Sequence, residues 1–107
     1  MPSNCIFCKI IEKEVDADIL YEDEEYIVFK DINPSAPIHY LIVPKKHTAS
    51  VNEVVSKEDM GGIFLVAQKV ADKLGVKRSG YKLIVNVEKG GGQEVFHIHM
   101  HFLSNLN

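Results

Sequence analysis

The chain has 107 residues, enough for one domain with a buried core, and with 46% hydrophobic and 25% charged residues it has the balance of an ordinary globular protein. A formal charge of −3 argues against a general nucleic-acid binder, which needs a basic stripe, so no nucleic-acid partner is expected. The longest apolar run, Ile63 to Ala67, is far too short to span a bilayer, and the start Met1-Pro2-Ser3-Asn4-Cys5 lacks the basic-then-apolar pattern of a secretory signal, so the expectation is a cytoplasmic protein without membrane contact.

No repeat, low-complexity tract or linker divides the chain, and a single domain over residues 1–107 is expected. Residues 4–12 read as a short helix with Ser3 or Asn4 as its cap. The only two cysteines, Cys5 and Cys8, form a Cys-x-x-Cys pattern that argues against a disulfide framework. The spacing is that of zinc ligands, but it supplies two of the four a closed site needs. A pair of reduced cysteines on a helix is the plainer reading, and no thioredoxin-like context follows to favour a redox role.

Residues 18–21 and 25–30 read as strands joined through the acidic turn Glu22-Asp23-Glu24. Asn33-Pro34-Ser35-Ala36-Pro37 is a loop, since two prolines forbid regular structure. His39 to Pro44 reads as a short strand stopped by its proline, Lys45-Lys46 as solvated surface, and residues 48–55 as a turn or short helix. Residues 57–74 form the one long helix, because Met60, Ile63, Phe64, Ala67, Val70, Ala71 and Leu74 recur at helical spacing. Ser56 with Asp59 approximates a capping box, and Gly75 is a natural stop. Gly61-Gly62 costs about 1 kcal/mol per glycine against alanine, which either close packing or a frayed start would explain.

Tyr81 to Val87 and residues 95–103 alternate and complete the set. The sum is an α+β domain: about five mostly antiparallel strands, one long helix and a short N-terminal helix. Leu83, Val85, Ile98, Met100 and Phe102 are assigned to the face under the long helix. Ile84 and Asn86 then join the opposite face, and parity allows Ile27, Phe29 and Asp31, or His39 and Leu41, to share a side.

The last strand holds three of the five histidines, His97, His99 and His101, alternating with Ile98, Met100 and Phe102. Period-two alternation places the imidazoles on one face, about 6–7 Å apart, where one phosphate or one metal ion could meet more than one ring. Gly90-Gly91-Gly92-Gln93 just precedes them, and glycines there let backbone amides approach an anion.

His97-Ile98-His99-Met100-His101-Phe102-Leu103 resembles the signature of the histidine-triad (HIT) family. Ile6 to Ile11, Tyr21 to Glu24, Phe29 to Pro34, Pro37 to His39, Ile42 to His47 and Gly91 to Gln93 fall in family order too. The resemblance spans nearly the whole chain and is closest to the Hint-like nucleoside phosphoramidases. It implies hydrolysis of purine nucleoside 5′-phosphoramidates through a covalent nucleotidyl-histidine. The alternatives are dinucleoside polyphosphate hydrolysis on the same triad, or a nucleotide- or zinc-binding interaction module without turnover.

By this resemblance His99 is the nucleophile, and His101 binds phosphate oxygens and assists proton transfer. His39, otherwise a satisfied histidine beginning a strand, orients the nucleophile from behind. Gln93 and Gly92 contact the phosphate, and Asn86 lies near phosphate and ribose. Asp31 takes the ribose hydroxyls, while Phe7, Ile10, Phe29, Ile32 and Leu41 wall the base. Glu94 stands where relatives carry a small hydroxyl residue that helps the leaving group; a carboxylate there would donate a proton or repel the phosphate. Some bacterial members complete a Cys-x-x-Cys zinc site with two histidines, which are His47 and His97 here, giving one structural zinc on Cys5, Cys8, His47 and His97. The family also implies a symmetric homodimer, joined at the Tyr81–Val87 edge or through the long helices.

Overall fold

Alternation along the strands decides the architecture. The computed structural model describes residues 4–105, in which β1 (Ile19–Glu22), β2 (Tyr26–Lys30), β3 (Ile38–Pro44), β4 (Lys82–Ile84) and β5 (Met100–Ser104) form one sheet in the order β1-β2-β3-β5-β4. Every neighbouring pair is antiparallel. The long helix α2 (Glu58–Leu74) covers one face, where Tyr26, Val28, Ile42, Met100 and Phe102 pack with its Ile63, Val66, Ala67, Val70 and Ala71. The short helix α1 (Ile6–Ile11) covers part of the other, packing Phe7, Cys8, Ile10 and Ile11 on Ile27, Phe29, Leu41 and Val43. One residue of phase along β2 and β3 therefore separates two cores. The expected fold class stands, and Leu83, Met100 and Phe102 pack under the long helix as assigned, whereas Ile98 is buried outside that cluster.

The β1–β2 turn is tied by Asp23, whose carboxylate accepts the backbone N–H groups of Glu25 and Tyr26 at 2.8 and 2.7 Å. Residues expected as a turn or short helix contain a single 3-10 turn at Val51–Glu53. Gly75 ends α2 in the left-handed region at φ 72°, as glycine readily does.

Several local expectations are corrected. The cap of α1 is Cys5, whose Sγ accepts the N–H of Cys8 at 3.4 Å, rather than Asn4; Ser3 lies outside the described residues. The Ser56–Asp59 capping box does not form, because Lys57 is already helical at φ −65° and ψ −29° and the Asp59 carboxylate pairs with Lys46 at 3.1 Å. Phe64 points away from the core and is 57% exposed, whereas Val66, not singled out from the periodicity, is buried. Lys45 is not simply solvated, since its Nζ meets Glu22 at 2.7 Å.

The two C-terminal strands are shorter than alternation predicts. β5 starts only at Met100, because Ile98 donates its N–H to the Thr48 carbonyl at 2.7 Å, off the ladder. β4 loses its partner at the Ile84–His101 pair and ends there, leaving Val85 outside the strand and 37% exposed instead of under the helix.

Of the two helical glycines, Gly62 has a packing reason. A Cβ there would lie 2.9 Å from the buried Tyr26 ring, while one at Gly61 would meet nothing. Gly62→Ala is thus expected to destabilise the fold by about 1–2 kcal/mol despite its better helix propensity, and Gly61→Ala to stabilise it by up to about 1 kcal/mol. Urea unfolding of the two variants checks the opposite signs.

Candidate active site

A pocket of about 330 Å³ opens on the α1 side of the sheet. Its apolar walls are Phe7 and Ile10 from α1, Phe29 from β2 and Leu41 from β3, with Ile32 at the rim, 91% exposed. Asp31, Asn86, Gly92 and Glu94 supply polar groups, and His99 and His101 line the same space. The β2–β3 and β3–β5 registers explain this convergence: Phe29 pairs with Leu41, and Leu41 with His101. Val15, Asp16 and Ala17 also line the pocket and carry no signal in the sequence, since the segment after α1 has no periodicity to mark a wall; Lys30, at the end of β2, lines it too.

Hydrogen bonds assign the tautomers of the histidines. His99 Nδ1 lies 2.8 Å from the His97 carbonyl oxygen, which only accepts, so Nδ1 carries the proton and Nε2 keeps a lone pair. Phe7 stands edge-on to the His99 ring at 5.0 Å and holds its plane. Burial lowers the pKa values of His99 and His101 below the ordinary imidazole value, which keeps both rings neutral at neutral pH. A neutral, oriented imidazole with a free nitrogen is a nucleophile.

His39 supports a different ring from the one expected. Its Nε2 is 2.9 Å from His101 Nδ1 and 3.3 Å from Asp31 Oδ2, while its Nδ1 accepts the Ser35 N–H at 2.9 Å. With Nδ1 accepting, His39 donates from Nε2, and His101 is left with its proton on Nε2. His39 therefore orients His101 rather than His99, which lies outside the β3–β5 pairing that begins at Met100.

Gln93 is not brought into the pocket. Its Oε1 accepts the Glu88 N–H at 2.8 Å, and its Nε2 donates to the carbonyls of Ala49 and Val95 at 2.7 and 3.0 Å. Glu88, at φ 60°, also accepts from the buried Ser50 hydroxyl at 2.7 Å. This knot holds the glycine turn Lys89–Gly91 against the loop after β3. Gln93→Ala would strand three backbone groups, so we expect a loss of about 2–3 kcal/mol of stability, read from urea unfolding.

His97 leaves the face of the other two. It is fully buried, and its Nδ1 lies 3.5 and 3.6 Å from the sulfurs of Cys5 and Cys8 and 3.1 Å from His47 Nδ1; Cys8 Sγ is 3.3 Å from that same nitrogen. His97 Nε2 donates to the Pro44 carbonyl at 2.7 Å, so its Nδ1 presents a lone pair to the cluster. Two thiol sulfurs and two imidazole nitrogens within 4.8 Å of one another could hold a metal ion. Tetrahedral bonds of about 2.0–2.3 Å have edges of about 3.3–3.8 Å, close to these separations, and a carbonyl partner on the far nitrogen is usual for a ligating histidine. Burial, then the hydrogen bond with Cys5, pushes the Cys8 thiol up to about 11, and burial holds His97 down at about 4. A cation would offset the first and is compatible with the second, since ligating imidazole is neutral.

The fold and site are those of a small α+β protein with two neutral, tautomerically fixed histidines in a mostly apolar pocket. The HIT domain model matches residues 12–107, and the chain belongs to the HIT family. It is similar to protein HitA of Neisseria gonorrhoeae, 45% identical over 102 residues and 94% of each chain. It is likewise similar to the purine nucleoside phosphoramidase of Escherichia coli K12, 44% identical over 105 residues, covering 96% of this chain and 88% of that one. A HIT family hydrolase structure from Clostridium thermocellum aligns with a TM-score of 0.94 at 46% identity, over 100% of this chain and 95% of the other.

Proposed function

We propose that this protein hydrolyses purine nucleoside 5′-phosphoramidates through a covalent nucleotidyl-His99 intermediate. The observation that carries the reading is the His99 Nδ1–His97 carbonyl hydrogen bond of 2.8 Å, which leaves Nε2 free within the pocket. The purine lies among Phe7, Ile10, Phe29, Ile32 and Leu41, and Asp31 receives the ribose hydroxyls. Asn86 and the Gly92 amide meet the phosphate end.

In the first step the His99 Nε2 lone pair bonds to phosphorus and the P–N bond breaks. Its electron pair stays on the departing nitrogen, which takes up one proton from solvent past the Nε2–H of His101. Water then attacks phosphorus, the P–His99 pair returns to Nε2, and the attacking water gives up one proton to solvent as the nucleoside monophosphate leaves. Comparing adenosine 5′-phosphoramidate with diadenosine polyphosphate as substrates tests the reading. Faster turnover of the first is expected; cleavage of the polyphosphate alone, or nucleotide binding with no turnover of either, would overturn it.

The metal at Cys5, Cys8, His47 and His97 is a structural zinc, a role that four protein donors favour because no position is left for substrate. Two buried thiols with no disulfide suit a reducing compartment, the cytoplasm. The assembly is a symmetric homodimer. β4 is an edge strand with one neighbour, and Phe64 and Leu65 of α2 are 57% and 58% exposed, so both features gain from a second copy. Sedimentation at micromolar concentration should give twice the 12.0 kDa chain mass; a monomer would rule the dimer out.

A further inference from the structure

A second groove, lined by Asn4, Cys5, Ile6, His47, Glu94, Val95 and Phe96, adjoins the pocket. Ile6, Glu94 and Val95 line both spaces, so they form the ridge across which one molecule can extend. The groove has about 400 Å³, room beyond what the nucleotide itself occupies. Its walls are part apolar: Ile6 is 40% and Phe96 46% exposed. Among the described residues no lysine or arginine lines it, and apart from the metal-cluster thiol and imidazole Glu94 is the only ionisable side chain there. That carboxylate is exposed and makes no hydrogen bond or ion pair among the described residues.

We propose that this groove is the leaving-group subsite and that Glu94 selects amines that carry a second, positive charge on a short apolar stem. The inference rests on the phosphoramidase reading and deepens it. In an in-line displacement at phosphorus the leaving group departs on the side opposite His99, and a substituted amine then needs a place outside the nucleotide pocket. The groove offers one across the ridge of Ile6, Glu94 and Val95 that it shares with the pocket. A carboxylate on the ridge attracts a cationic amine passing over it and repels an anionic leaving group, including the phosphates of a polyphosphate substrate. Ile6 and Phe96 give the stem apolar contact.

Three adenosine 5′-phosphoramidates with leaving groups of matched length test this: pentylamine, cadaverine, which keeps a protonated second amine, and aminovalerate, which carries a carboxylate. The wild-type kcat/KM should fall in the order cadaverine, pentylamine, aminovalerate, with a ratio of roughly tenfold or more between the charged extremes at low salt, shrinking as ionic strength rises. Glu94→Gln should collapse that ratio to near one, and Glu94→Lys should invert it; intrinsic reactivity of the amines cancels in the comparison between variants. Phe96→Ala should slow all three substituted substrates while leaving the unsubstituted phosphoramidate at the wild-type rate, which also reports that the variant is folded. A cadaverine-to-aminovalerate ratio unmoved by Glu94→Gln, or an equal loss on the unsubstituted substrate in Phe96→Ala, overturns the subsite while the phosphoramidase reading stands. Failure to hydrolyse even the unsubstituted phosphoramidate would overturn that reading, and the subsite with it.

Discussion

Replacing His99 with alanine is expected to abolish nearly all turnover while nucleotide binding survives. The variant removes the Nε2 lone pair proposed to attack phosphorus, so the covalent route would close. A loss of about 10³-fold or more in kcat, over ~4 kcal/mol of barrier, is the expected scale. Binding persists because Phe29, Leu41, Ile10 and Asp31 come from other elements and the glycine turn is held by Gln93. His101→Ala should cost less, since Asn86 and the Gly92 amide also lie at the phosphate end. His39→Ala should resemble a mild His101 variant, because its Nε2 reaches His101 and not the nucleophile. Rapid quenching without acid, followed by mass spectrometry, should find the nucleotidyl group on His99. An active His99→Ala enzyme, or an adduct on His101, would sink the mechanism and leave the fold untouched.

Losing the metal proposed at Cys5, Cys8, His47 and His97 is expected to have the largest effect on stability. The cluster joins three separated pieces of chain: the start of α1, the loop after β3, and the segment just before β5. At free zinc a thousandfold above its dissociation constant the bound state gains about 4 kcal/mol, which for a domain of this size is roughly 15–30 °C in melting temperature. Protein produced without a histidine tag should contain one zinc per chain. Cys5→Ser with Cys8→Ser should lose the metal and melt lower by that amount. The loss should extend to turnover, because His97 offers its ring to the cluster and its carbonyl to His99. Full zinc retention in the double variant would move the metal to the triad and overturn the assignment of His99 as well.

Local chemistry is what the sequence could determine alone. The three-residue alternation of His97, His99 and His101 with apolar partners, the helical spacing of Ile63, Ala67, Val70 and Ala71, and the left-handed stop at Gly75 depend only on backbone period and side-chain type, and the buried pattern follows them. The likeness of these segments to the HIT family carried the candidate residues, and Phe7, Phe29, Asp31, Leu41, Asn86 and Glu94 do converge on one pocket. The pairing of Cys5 and Cys8 with His47 and His97 came from that likeness too, as spacing within one segment cannot say which distant donors complete a site.

Tertiary structure decided the direction of each polar group. Period two would keep His97 beside His99, yet the Ile98 N–H leaves the ladder for Thr48 and turns the His97 ring to the cysteines. Gln93 reads as a phosphate ligand in sequence, but a buried amide must satisfy every donor and acceptor it has, and the nearest unpaired partners are backbone groups of Glu88, Ala49 and Val95. His39 supports His101 because the β3–β5 register sets Leu41 opposite His101 and leaves His39, opposite Leu103, as its diagonal neighbour, a register that no single strand encodes. Side-chain type and spacing follow from the chain alone, whereas which group each polar atom meets is settled by long-range pairing and by the cost of leaving a buried donor unmatched.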